Sequence, residues 1–156
     1  MPKRRDEKIE MDKLYSDPRA FKVRALEEVR RAKRYATFVS LVAVDMGHID
    51  SADDVENFGN LNDFMVSMRK LIRVSVRETD LLSIANAGKI LILLLDTPRE
   101  GALALSERLK VTLRYFMCNN VKSPLNWKVP IKEYSFPNAP EDEQDIVSFL
   151  DQVEKA

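Results

Sequence analysis

Cysteine is nearly absent: Cys118 is the only one in 156 residues. A lone thiol excludes an intrachain disulfide and a thiolate cluster for zinc, and it fits a reducing, cytosolic setting. An excess of either charge is missing too. Basic and acidic residues number 25 each, so the formal net charge is zero, and no general attraction to nucleic acid or to anionic lipid is expected. Long apolar runs are also lacking. The longest is far too short to span a bilayer, and no apolar h-region follows the charged first residues. His48 has no second histidine or cysteine near it in sequence, so it reads as structural rather than as a metal ligand. Neither an internal repeat nor a low-complexity linker is present. These absences lead us to expect a soluble cytoplasmic protein whose partners include no nucleic acid and no membrane.

What is present suits one domain with a real core. Hydrophobic residues make up 45% and charged residues 32% of the chain, an ordinary balance for a globular protein rather than a disordered one. Residues 1–11 are charged and read as a tail; residues 12–156 read as a single domain. The charge is unevenly placed: the first helical region is rich in Arg and Lys, whereas Asp45 to Asp63 contains neither.

Pro18 opens a helix with Phe21, Ala25, Val29 and Ala32 at helical spacing. Phe38 to Val44 reads as a buried strand ending at Asp45. Asp50 or Ser51 is placed to cap a long helix, with Asp53, Asp54 and Glu56 in its first turn and Phe58, Leu61, Met65, Met68 and Ile72 on its inner side. Leu81–Ala85 and Lys89–Leu95 form a hairpin around Asn86-Ala87-Gly88-Lys89, where Asn86 and Gly88 supply positive-φ chemistry. Thr97-Pro98-Arg99-Glu100 has the look of a capping box with proline at the first helical position. It starts a helix through Ala102, Leu105, Leu109, Leu113 and Phe116. Trp127 to Phe136 reads as a last strand, an edge or irregular one because of Pro130. Pro140 and the acids after it start a terminal helix with Ile146, Phe149, Leu150 and Val153 inside. This order predicts an α/β sandwich with a mixed, mostly antiparallel sheet flanked by helices.

Several phrases in this order resemble the GGDEF domain of bacterial diguanylate cyclases. They are Asp12-Lys13-Leu14 with Arg19-Ala20-Phe21, then Arg30 to Tyr35 (RRAKRY), and Leu41 to Asp45 (LVAVD) followed by His48. Arg77-Glu78-Thr79-Asp80, Leu94-Leu95-Asp96-Thr97 and Gly101 to Leu109 (GALALSERL) complete the set. The resemblance implies a nucleotidyl-cyclase-like sandwich. It also implies that the signature turn, Gly-Gly-Asp/Glu-Glu-Phe in the family, falls on Asn86, Ala87, Gly88, Lys89 and Ile90. Making a cyclic dinucleotide needs carboxylates that hold Mg²⁺ against a triphosphate. Only Asp45 survives, as a vestige; Gly88 and Lys89 replace the turn acids, and Gly47 replaces the second Asp of the family's Asp-x-Asp pair. Asp53 and Asn62 stand where the family reads guanine with Asn and Asp. The expected protein is therefore not an enzyme and holds no metal or other cofactor.

The family's inhibitory, product-binding site is an Arg-x-x-Asp motif five residues before the signature turn, and Arg77 and Asp80 stand at that spacing. A second family Arg falls on Arg108. A guanidinium can bond guanine O6 and N7 or a phosphate in bidentate fashion, and a carboxylate can accept from guanine N1 and N2. The resemblance thus implies a cyclic di-GMP receptor acting on a downstream protein partner. The local reading of the same residues is plainer: an Arg favoured at a helix C-terminus and an Asp that ends a turn. The alternative function is a protein–protein interaction or dimerisation module, a homodimer for instance, with no nucleotide ligand.

Overall fold

In the computed structural model the described residues are 17–46, 49, 52–85, 88–122, 129–137 and 145–155. Helix α1 spans Pro18–Tyr35, strand β1 Val39–Asp45, helix α2 Leu61–Ser75, strands β2 and β3 Leu81–Ala85 and Lys89–Leu95, helix α3 Arg99–Asn120, strand β4 Ile131–Phe136 and helix α4 Ile146–Lys155. The strands lie side by side in the order β2-β3-β1-β4. All three pairings among the described residues are antiparallel, with Val42 opposite both Ile92 and Glu133.

The two middle strands explain why helices are needed on both sides. Val39 to Val44 and Lys89 to Leu94 are buried at every consecutive position. Successive strand residues point to opposite faces, so such a pattern demands cover above and below. Two helix pairs provide it. Helices α2 and α3 meet through Phe64 and Phe116, whose ring centres are 5.4 Å apart. Helices α1 and α4 are joined by an ion pair from Lys22 to Asp151 at 3.4 Å, and Phe149 of α4 stacks near Tyr134 of β4 at 5.7 Å. No helix among the described residues is long and apolar enough to cross a membrane.

Several expected boundaries move, each for a local reason. Helix α2 begins at Leu61, capped by the Asn60 side chain, which accepts from Asp63 N–H at 2.8 Å. Asp53 and Asp54 lie instead in a single 3-10 turn, Ala52–Asp54, and Asn57 takes a left-handed φ of 67° that ends any helical run. That loop is sewn to the end of α3: Glu56 N–H donates to Asn120 O at 2.7 Å, Lys122 N–H donates to Asp54 O at 2.9 Å, and Val55 bridges Val121. Phe58 thus lies outside the helix but still packs edge-on against Phe64 at 5.6 Å. The expected caps Asp50 and Ser51 lie outside the described residues. Strand β4 starts after Pro130 rather than running through it. Pro130 keeps its carbonyl in use, accepting from Asp45 N–H at 3.0 Å. Pro140, the expected start of α4, is outside the described residues, and the helix is capped at Asp145, which accepts from Ser148 N–H at 2.8 Å.

That cap carries a pH dependence. The Ser148 backbone N–H, followed by the Ser148 hydroxyl, holds the Asp145 carboxyl below its ordinary value of 3.8. A carboxyl whose folded pKa is depressed stabilises the fold above its unfolded pKa, and the benefit fades as pH falls through the folded value. Asp145→Ala is therefore expected to lower the thermal midpoint at neutral pH. Its deficit relative to the parent protein should shrink to nothing in acid below the ordinary carboxylate range, as followed by circular dichroism melts across pH.

Candidate functional site

Asp80 is the residue around which the site is built. It follows α2 and immediately precedes β2, and its side chain is only 2% exposed. One carboxylate oxygen accepts from the Arg77 backbone N–H at 3.0 Å and from Arg77 Nε at 3.3 Å. The other accepts from Arg77 Nη2 and from Leu95 N–H, both at 3.3 Å. Asp80 N–H in turn donates to Arg77 O at 3.0 Å, closing the turn. Arg73, on the last turn of α2, clasps the same loop from outside, with Nη1 donating to Asp80 O at 2.7 Å and Nη2 to Glu78 O at 2.8 Å. A buried carboxylate needs this many donors, because desolvation without them costs several kcal/mol.

Arg77 is held on one side and open on the other. Its Nη2 donates to Leu95 O at 2.6 Å and also to the Thr97 hydroxyl. Its side chain nevertheless remains 57% exposed, and none of these bonds uses Nη1. The Thr97 hydroxyl itself donates to Leu95 O at 2.8 Å, and it does not cap α3. The capping box expected there is not formed: Pro98 is the N-cap, with no side-chain cap bond, and the helix begins at Arg99. Arg77 has taken the hydroxyl that would have capped it. Gly101 makes the close approach possible, since a Cβ there would sit 2.7 Å from Thr97 Cγ2.

Arg108 faces the same place from the third turn of α3. It is exposed, and its Nη2 donates to Ser75 O at 3.3 Å, bridging to the end of α2. Arg77, Asp80 and Arg108 line one open hollow of about 460 Å³, with Val76, Thr97, Pro98 and Gly101 among its other walls. The three residues singled out in the sequence are therefore brought together. Two unblocked guanidinium edges and the positive end of a 22-residue helix dipole converge on it. Asp80 lines the hollow while its carboxylate accepts from Arg77 and Leu95 N–H, and so it positions Arg77. Sequence reasoning missed Thr97, whose capping-box setting disguised its part in the site, and Arg73, whose place in the last turn of α2 was the only signal.

The signature-turn region lies at the other end of β3. Asn86 and Ala87 are outside the described residues; Gly88 has a φ of 74°. Lys89 is not an exposed hairpin-tip residue. It is 5% exposed, and its ammonium donates to Val153 O near the C-terminal end of α4, where the helix dipole favours a cation. Asp45 is its cross-strand partner, and Lys132 lines the same small cavity. A Mg²⁺ site needs converging oxygen ligands, whereas the side chains beside Asp45 here are two lysines. Among the described residues no three acids, histidines or cysteines converge. The described residues at this end, with Lys89 and Lys132 lining the cavity beside Asp45, do not fit a divalent metal.

This order of strands and helices is the α/β fold of solved GGDEF domains. A DGC protein from Thermotoga maritima superposes with a TM-score of 0.57 at 18% identity, over 86% of this chain and 89% of that one. The active GGEEF domain of a diguanylate cyclase from Vibrio cholerae gives 0.55 at 15%, over 78% and 75%. PelD from Pseudomonas aeruginosa, in complex with cyclic di-GMP, gives 0.51 at 20%, with this chain covering 48% of its length. At these identities the likeness establishes the fold. No protein-family model matches the sequence, and neither does any curated protein.

Two substitutions probe the two ends of β3. Asp80→Ala strips four acceptor contacts from a buried position and is expected to cost roughly 2–3 kcal/mol of unfolding free energy, measured by urea denaturation. Lys89→Glu, which puts an acid back into the turn, aims a buried negative charge at the carbonyl end of α4. It is expected to destabilise by about 3 kcal/mol or more, measured by the same denaturation.

Proposed function

We propose that this domain is a cyclic di-GMP receptor with no cyclase activity, and that it passes the occupancy of its site to a protein partner. The observation that carries this reading is the convergence of Arg77 and Arg108 on one hollow at the N-terminus of α3, with Arg77 fixed in place by Asp80. Two guanidinium groups and a helix N-terminus suit a phosphate or the O6/N7 edge of guanine, each reached by paired, charge-assisted hydrogen bonds. The cyclic di-GMP complex of PelD, which shares the fold, supports the choice of ligand. Loss of catalysis is supported by Lys89 and Lys132 beside Asp45, which put positive charge where the reaction requires metal-binding acids.

A second reading is a pure interaction module. It is favoured by Val74 on α2 with Val111 and Tyr115 on α3, all more than 70% exposed on helices that pack together.

Isothermal titration calorimetry with cyclic di-GMP decides between them. The receptor reading expects binding in the micromolar range or tighter, weakened about tenfold or more by Arg77→Ala and by Arg108→Ala. Absence of heat at high micromolar ligand sinks it. Incubation with GTP and Mg²⁺ is expected to yield no cyclic di-GMP, and any product detected by chromatography overturns the assignment of a dead turn.

A further inference from the structure

A second hollow lies beside the first. It measures about 240 Å³ and is walled by Glu28, Arg31 and Tyr35 of α1 together with Thr37, Phe38 and Asp96. Asp96 is the one residue that lines both hollows, and so stands on the ridge between them. The first hollow by itself falls within the roughly 300–1,000 Å³ of small-ligand sites, and the second extends it.

Three carboxylates border these hollows, and two are spoken for. Asp80 is buried and saturated by Arg77 and Leu95. Glu28 is held by Arg24 Nε at 3.0 Å. Asp96 is exposed, and its side chain makes no hydrogen bond or ion pair among the described residues. Its backbone is well fixed all the same. It turns the chain after β3 at a φ of 50°, and both neighbours are anchored, since Leu95 O and the Thr97 hydroxyl each accept from Arg77. Tyr35 and Phe38, 61% and 47% exposed, give the second hollow an aromatic wall, the kind of surface on which a nucleobase stacks.

Resting on the receptor reading, we propose that Asp96 is the guanine-selecting residue of the site. The ligand straddles it, with a phosphate and one guanine edge on Arg77 and Arg108 and the second guanine in the α1 hollow against Phe38 and Tyr35. The Asp96 carboxylate accepts from N1–H and N2–H of that second base. Guanine offers these two donors side by side; hypoxanthine lacks the N2 amino group, and adenine presents an acceptor at N1. The site therefore takes cyclic dinucleotides with guanine in at least one position.

Calorimetry with cyclic di-GMP, cyclic di-IMP and cyclic di-AMP, on the parent protein and on Asp96→Asn, tests this. Asn tolerates positive φ as Asp does, so the turn is kept while the anionic acceptor pair is lost. The parent is expected to prefer cyclic di-GMP by about tenfold or more over both analogues, and Asp96→Asn to lose its preference over cyclic di-IMP, whose bases keep the O6 and N7 edge that Arg77 and Arg108 read. Equal affinity of the parent for cyclic di-GMP and cyclic di-IMP overturns the proposal without any variant. Unchanged selectivity in Asp96→Asn, alongside loss of binding in Arg77→Ala, overturns it and leaves the receptor reading standing. No binding of cyclic di-GMP by the parent overturns both.

Discussion

One buried carboxylate ties three elements together at the junction of α2, β2 and β3. Asp80 accepts from the residue that leaves α2 and from the last residue of β3 while itself leading into β2. Its charge is tolerable only because Arg77 wraps around it, and Arg77 in turn reaches Leu95 and Thr97 at the far side of the junction. The register of α3 against the sheet follows from this, since Thr97 is drawn away from its capping role and Gly101 lets the first helical turn close over it.

The arrangement divides labour within a single ion pair. A guanidinium presented on a flexible stem loses about 2 kcal/mol of rotamer entropy when it grips a ligand. Arg77 has given up much of that freedom already, because half of its donors are fixed to Asp80, Leu95 and Thr97. What remains exposed is preorganised. Arg108, bonded among the described residues to Ser75 alone, is the more adaptable of the pair. The same strand that anchors this site carries the opposite chemistry at its other end, roughly 20 Å away for a strand of this length. There a buried lysine meets a helix C-terminus.

Much of this was legible in the sequence. The apolar run from Ile90 to Leu95 and the antiparallel pairing of β2 with β3 follow from patterning that any buried strand pair must show. The grouping of Arg77, Asp80 and Arg108 followed from phrase order, and all three line one hollow. What escaped was competition between local signals. Thr97-Pro98-Arg99-Glu100 satisfies every local rule for a capping box, yet a more strongly donating group in space claims the hydroxyl. Asp53, Asp54 and Glu56 look like the acidic first turn of a helix, yet Asn57 and the stitching to Asn120 and Lys122 end the run, and the helix restarts at Asn60. Lys89 reads as a turn lysine because nothing in its neighbourhood announces that Val153, sixty-four residues later, will cover it. Contacts of that separation leave no periodic trace.

The meeting of Lys89 with the end of α4 also shapes which neighbouring sequences are accessible. The lysine and the helix terminus compensate each other, so either one altered alone leaves an uncompensated partner in a buried place. Placing an acid at position 89 in this arrangement requires moving the terminal helix and exchanging the lysine together. The pair thus sits behind a two-change barrier, in which neither partner is exchanged without the other.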